Sequence, residues 1–472
     1  MYDTTRCKQS ISAALVRLGA LLFVTILPAC GGSSSSMPAA APSVTAQAPS
    51  TTVNRTVTLK ATAMAASGAS IMQVNFLVDG TQIGTATTAT SGTYTYSWDT
   101  TTTMDGTHTL TVTATDSNHM TGTSAGVMVT VMNNLALNFG LAPNQLYPMP
   151  TNSTATGVAA LKVDLATGAL SGSVTVNGVT PTNATMNQGF AGSTGTSVVT
   201  LTQNATTPTE WDVPATTLTA DQVSTLLQGQ YYIVITSAAN ANGEIRGQIL
   251  PTTVTVAWSS LSAANEAAST ATGTGTAATT VDSVANTVTV YVNTTGLTAT
   301  GAQVNNGTLA TAGTTLVTLT QANANQWSVQ LSPIQTSDVS NFTNSMWAVN
   351  VVTANGAIGS QIMPAPTLTQ LAMTIFVPKC SSCHTGIGTV PPGALNLTGG
   401  PAAFKALVGV PTGEIPTLDF VTPGNPNGSY IIQKLEGAPG IIDAQMPLGG
   451  PYLDAATIAQ VAAWIAAGPQ DN

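Results

Sequence analysis

Charge is scarce in this chain. Only 6% of its 472 residues are Asp, Glu, Lys or Arg, against roughly 25% in ordinary soluble proteins. No run of like charge occurs, which excludes a coiled coil and a charged tail. Ten basic residues face nineteen acidic ones, for a net charge of −9. No basic face exists to meet a phosphate backbone, so a nucleic-acid binder is excluded. Histidine is scarcer still: His108, His119 and His384 are the only three. Four cysteines (Cys7, Cys30, Cys380, Cys383) are too few for a disulfide scaffold. The apolar run Leu18 to Leu27 falls well short of the ~20 residues that span a bilayer.

Thr, Ser, Asn and Gly supply the polarity instead, a mixture suited to β-rich domains with many short turns. The length allows about three or four domains of ~100–150 residues.

The amino terminus has the layout of an export signal. Arg6, Lys8 and Arg17 precede the short apolar run, and Leu27-Pro28-Ala29-Cys30 is followed by two glycines and four serines. This resembles a bacterial lipobox, which implies a signal peptide over 1–29, lipid on Cys30 and attachment to a membrane. Ordinary secretory cleavage nearby, with Cys30 incidental, is the alternative. Residues 30–49, rich in Ser, Ala and Pro, read as a flexible tether. The expected location is the cell envelope, on its periplasmic, outer-membrane or cell-surface side. Gly31 after the cysteine is compatible with outer-membrane sorting.

Residues 50–134 alternate apolar and polar in about seven short strands, with Asp79-Gly80 as a hairpin signal. That density predicts an immunoglobulin-like sandwich, and the stretch VNFLVDGTQIGTAT resembles bacterial Ig-like surface modules. Residues 135–250 and 251–364 are an internal repeat. Thr154-Ala155-Thr156-Gly157 recurs at 270–273, Val199 to Gln203 at 317–321, and Gly247-Gln248-Ile249 as Ser360-Gln361-Ile362. A period this long indicates two duplicated domains and not a solenoid. Their Val/Thr alternation predicts antiparallel β structure. The first copy resembles the chordin-type (CHRD) domain through Leu170 to Val176, Leu218-Thr219 and Ala239 to Ile249; the second is a divergent copy. Family members often carry histidines where this chain has Asn183 to Asn187 and Tyr232 to Thr236, so no metal role carries over.

From residue 365 the pattern becomes helical. Thr367 to Phe376 has helical spacing, and Asp454 to Ala467 reads as an amphipathic helix capped by Asp454 and stopped by Gly468. The first helix runs into Cys380-Ser381-Ser382-Cys383-His384, the C-x-x-C-H spacing of covalent haem attachment. Two thiols one turn apart can each add to a vinyl group of one haem, and the adjacent imidazole is held as an axial ligand. Zinc would need four Cys or His ligands and only three are present. A thioredoxin-like pair needs a βαβ setting. A plain disulfide leaves His384 unexplained. With no other histidine after residue 119, a second imidazole ligand is excluded, and Met446 is the one methionine beyond the motif.

The segment 365–472 resembles single-haem c-type cytochromes, nearest to planctomycete-like modules. The matching phrases are Ile375 to His384, Gly393 to Leu397, Val421 to Tyr430 and Met446-Pro447-Leu448. The resemblance implies one covalent haem c on Cys380 and Cys383, His384 and Met446 as axial iron ligands, and Trp464 where the last helix packs against the first, near the haem. The fold class expected is thus all-β, an Ig-like sandwich and two antiparallel β domains, followed by a small all-α cytochrome c domain. The function expected is a lipid-anchored electron carrier serving an unknown redox partner, not an enzyme, with the haem at the far end of a β stalk. Peroxidase activity needs an open iron site, which a Met446 ligand disfavours. The competing expectation is a surface binding or structural protein whose β domains hold a polymer or protein and whose haem is a sensor or accessory. Gly122-Thr123-Ser124-Ala125-Gly126 fits the G-x-S-x-G pattern without its strand-elbow-helix setting. His108 and His119 read as packing or solvated residues.

Overall fold

The structure, a computed structural model, describes residues 40–150, 153–266, 269–309, 311, 313–387 and 395–471. The signal segment 1–29, the lipidation candidate Cys30 and the first part of the tether lie outside the described residues.

The first unit packs a three-stranded sheet (Ser43–Gln47, Thr56–Met64, Thr93–Asp99) on a six-stranded one built around Gly106–Asp116 and Ile71–Val78. Alternation places Leu59, Ala61, Val74, Phe76, Trp98, Leu110 and Val112 between the sheets. The hairpin at Asp79-Gly80 forms as expected: both residues adopt left-handed φ, +50° and +78°, the geometry of the tight turn that matches strand twist. The tether reading needs correction at its end. Ser43–Gln47 pairs with Lys60 to Met64 as an edge strand, because Val44 and Ala46 alternate inward and their apolar faces are covered by the sandwich core.

The second repeat is a closed eight-stranded antiparallel barrel, sealed where Ser262 pairs with Gly359. The first repeat follows the same strand order but divides into two sheets. The counterpart of strand Thr314–Asn323 is interrupted at Leu201 into Thr196–Thr200 and Thr202–Gln203, one in each sheet. The opposite seam closes through a single bridge, Ala142 to Arg246. Each repeat has its own apolar core and one short helix, α1 (Ala220–Leu227) and α2 (Thr336–Thr343).

Beyond Ile362 the described chain is helical and irregular. A helix starts as α3 (Leu368–Leu371), widens through a π-helical turn (Ala372–Phe376) and ends as α4 (Val377–Lys379). Pro378 explains the widening. It has no N–H for the carbonyl of Thr374 and its ring crowds that carbonyl, so Val377 N–H reaches back to Ala372 O instead. Three further helices follow: α5 (Gly400–Leu407), α6 (Tyr430–Glu436) and α7 (Ala455–Ala466). Leu368, Leu371, Ile375, Phe404, Leu435, Val461 and Trp464 meet in one core.

This segment does not trail from the barrel as a distal module. It folds back onto the first repeat. Gly140 N–H donates to Pro469 O (2.7 Å) and Asp471 N–H to Asn138 O (3.2 Å), so the last residues add to the edge of strand Asn134–Leu141. Gln470 Nε2 donates to Gln248 O (3.1 Å) and Asn144 Nδ2 to Ala466 O (2.7 Å). Asn138 also donates to Asp471, whose carboxyl burial pushes above the usual range.

Candidate functional site

The Cys-His motif forms one tight turn at the end of α4. Thr367 caps the helix reciprocally with Gln370, and Leu368, Leu371, Ile375 and Phe376 bury its inner face. At the other end, the N–H groups of Cys380 and Ser381 both reach Phe376 O (2.8 and 2.9 Å). Cys383 N–H (3.1 Å) and His384 N–H (3.0 Å) then converge on Cys380 O. Five residues wrapped about one carbonyl put both thiols and the imidazole on the same turn. Leu397 N–H donates to His384 O (3.0 Å) and Thr385 bridges Asn396, which pins the turn to the following segment.

Both thiols are free. Cys383 is exposed, whereas Cys380 is half-buried and its thiol is pushed up to about 11 by burial. That direction is opposite to the lowered thiol of disulfide oxidoreductases. Among the described residues no group of three or more His, Cys, Asp or Glu is placed to hold a metal ion by side chains alone.

Met446 lies in the irregular segment between α6 and α7, half-buried against the helical core. Its N–H donates to Lys434 O (2.9 Å) at the last turn of α6. An open cavity of about 650 Å³ is lined by Cys380, Cys383, His384 and Met446 together. Phe376, Leu395, Leu397, Val410, Phe420, Ile431, Leu435 and Leu448 make its wall apolar, and Thr412, Glu414, Tyr430 and Lys434 form a polar corner. The size falls within the ~300–1,000 Å³ of cofactor and ligand sites. The donor set fits haem c: two unpaired thiols, an imidazole and a thioether face one largely apolar space.

Trp464 sits where the last helix packs against the first, in one core with Leu368, Leu371 and Ile375. It is 2% exposed in the helical core, but it does not line this cavity. It lies at the junction with the repeats, where its Nε1 donates to Gln470 O (3.0 Å), because α7 turns that face toward the first repeat and the returning C-terminal segment. Ser124, in the G-x-S-x-G look-alike, is buried, accepts from Val112 N–H (3.0 Å) and donates to Ala125 O (2.9 Å), which is a structural role. His108 pairs with Asp79 (2.6 Å) and contacts Met104 O (2.9 Å). The sequence reading missed the polar corner. The one available signal was Lys434 flanked by the apolar residues Ile431, Ile432 and Leu435 of one helix.

Residues 137–249 and 258–362 each match the family model of the CHRD domain, and residues 42–112 match that of a bacterial Ig domain. The chain thus carries two CHRD domains and one bacterial Ig domain. No curated protein matches it. Among solved structures, the fibronectin(III)-like modules of Clostridium thermocellum CbhA are 30% identical over 19% of this chain and 45% of that one, with a TM-score of 0.16. An endo-beta-1,4-mannanase from Thermotoga petrophila is 17% identical over 20% of each chain, with a TM-score of 0.17. A structure concerning host cell surface retention of a 1.5-MDa bacterial ice-binding adhesin is 15% identical over 69% of this chain and 98% of that one, with a TM-score of 0.19. The chain spans less than half the length of the first two. Scores this far below 0.5 establish no shared architecture.

Proposed function

We propose that the chain is an exported, lipid-anchored, single-haem c-type cytochrome that carries electrons, with residues 365–472 as its small helical cytochrome domain and the Ig and CHRD domains as spacer or docking modules. One observation carries the reading: the C-x-x-C-H turn and Met446, 62 residues apart in sequence, line the same cavity. When bound, the haem supplies a one-electron Fe(II)/Fe(III) couple. Cys380 and Cys383 would hold it through thioether bonds, and His384 and Met446 would supply the nitrogen and sulfur ligands to its iron. His/Met ligation favours a higher potential than two imidazoles would. The apolar wall would limit water around the bound group, and a Met446 ligand would disfavour small-molecule chemistry there. Lipid on Cys30 would hold the protein at a membrane of the cell envelope.

Protein matured in a host competent for c-type cytochromes should stain for covalent haem, and Met446→Ala should alter the iron spectrum. A haem-free product overturns the reading, and an unchanged spectrum overturns the ligand. Labelled lipid should be incorporated by wild type and lost in Cys30→Ser. The second reading, a surface binding protein with an accessory haem, draws on the three β domains, which make up about two-thirds of the chain. It predicts that Cys383→Ala leaves binding of a polymer or protein partner intact.

A further inference from the structure

We infer that Glu414, Tyr430 and Lys434 are positioning residues for the Met446 thioether, an inference that rests on the reading of Met446 as an iron ligand. Met446 sits in an irregular segment, whose own backbone does not fix where the sulfur lies. The segment is held to α6 instead. Its peptide at Ile442 is gripped at both polar atoms: Lys434 Nζ donates to Ile442 O (2.7 Å), and Ile442 N–H donates to Tyr430 Oη (3.0 Å). These two side chains lie four residues apart on one helix face. One carboxylate oxygen of Glu414 then accepts from both, from Tyr430 Oη at 2.5 Å and Lys434 Nζ at 3.2 Å. Four residues on, Met446 N–H closes the loop onto Lys434 O (2.9 Å).

Burial makes this arrangement unusual. Lys434 is 7% exposed, and lysine is rarely so buried unless paired. An apolar side chain of similar size would commonly stabilise such a site as well as a buried ion pair does. What an apolar residue cannot do is hold one peptide at a defined place through directional bonds. All three side chains line the same cavity as Met446, so the defined place is the sulfur's approach to the cofactor.

The test uses the full-length, haem-loaded protein and imidazole as a competing iron ligand. Two readouts are followed: the thioether-to-ferric-iron charge-transfer band, and the imidazole concentration that displaces the thioether. Tyr430→Phe and Lys434→Met should each weaken the band and lower the displacing concentration about tenfold, the equivalent of one hydrogen bond of ~1.4 kcal/mol. Glu436→Gln, on the exposed side of α6, should change neither. Variants that load haem, melt at a lower temperature and keep the wild-type displacing concentration would make the cluster merely structural and overturn the inference. If Lys434→Met does not load, Tyr430→Phe alone decides. Failure of the underlying reading is seen separately: wild type would lack the band, or Met446→Ala would keep it.

Discussion

Gly140 is where the helical segment meets the first CHRD domain, and a single methyl group there tests that contact. A β-carbon on Gly140 would stand 2.8 Å from Pro423 Cβ, 2.9 Å from Pro469 Cδ and 3.1 Å from Pro423 Cγ. Carbon pairs rest at about 3.5–4.0 Å, so two proline rings must retreat by roughly 0.5–1 Å. Neither ring is the free end of a flexible side chain, and overpacking of this kind costs ~1–3 kcal/mol. What yields is set by anchoring. Strand Asn134–Leu141 is paired along its whole length with 157–164, whereas a handful of hydrogen bonds hold residues 466–471 to it and to Asn144 and Gln248 nearby. Gly140→Ala should therefore loosen the docking and leave the strand intact, raising local opening about 5–150-fold. Hydrogen–deuterium exchange on the full-length protein reads this directly. Exchange should rise in peptides covering 464–471 and stay unchanged over 156–164. Unchanged exchange at 464–471, or loss of protection first in the strand, would refute the reasoning.

Four further outcomes concern single side chains elsewhere in the fold. His108 is raised above its ordinary value, chiefly by its hydrogen bond to Asp79 and then by Met104 O, so its stabilisation is complete below about pH 6.5 and is lost as pH rises through the higher folded value. The melting-temperature gap between wild type and His108→Gln should then be larger at pH 6 than at pH 9, and a constant gap would contradict it. Asp79 is held below its ordinary range, first by Thr109 N–H and then by His108, so the pair should persist until the pH falls below about 4. Arg246 is buried, bonded to Phe190 O (2.9 Å), Gln248 Oε1 (2.7 Å) and Ser193 O (2.5 Å), and lies 3.5 Å over the Tyr232 ring; Arg246→Met should cost about 3 kcal/mol by denaturant unfolding, because the abandoned acceptors stay buried. Asp454 accepts from Thr457 N–H at 2.7 Å at the start of α7, and Asp454→Ala should lower the melting temperature by removing this cap.

Much of the fold was legible because its signals are local. The Asp79-Gly80 hairpin, the Asp454 cap and the Val/Thr alternation each depend on neighbours a few residues apart. The duplication was legible from recurring phrases, but not the difference between its copies. A closed barrel and two sheets arise from one strand order, and the interruption at Leu201 leaves the alternating pattern nearly intact. The edge strand Ser43–Gln47 was hidden by its setting, since five residues of weak alternation next to a Ser/Ala/Pro run look like tether until a sheet is present to receive them.

The candidate site divides along the same line. Cys380, Cys383 and His384 could be named together because thiols and imidazole need only one turn of chain to converge, and Met446 could be named because no other methionine follows the motif. By itself the sequence determined the Ig and CHRD module types, the C-x-x-C-H spacing and a small set of candidate ligand residues. Only the tertiary structure decided that those four residues share one cavity, that Glu414, Tyr430 and Lys434 brace its polar corner, and that the C-terminal segment returns to the first CHRD domain. Asn138 and Asp471, or Glu414 and Lys434, recognise each other through directional bonds between distant stretches of chain, and such pairings leave no periodic trace along the sequence.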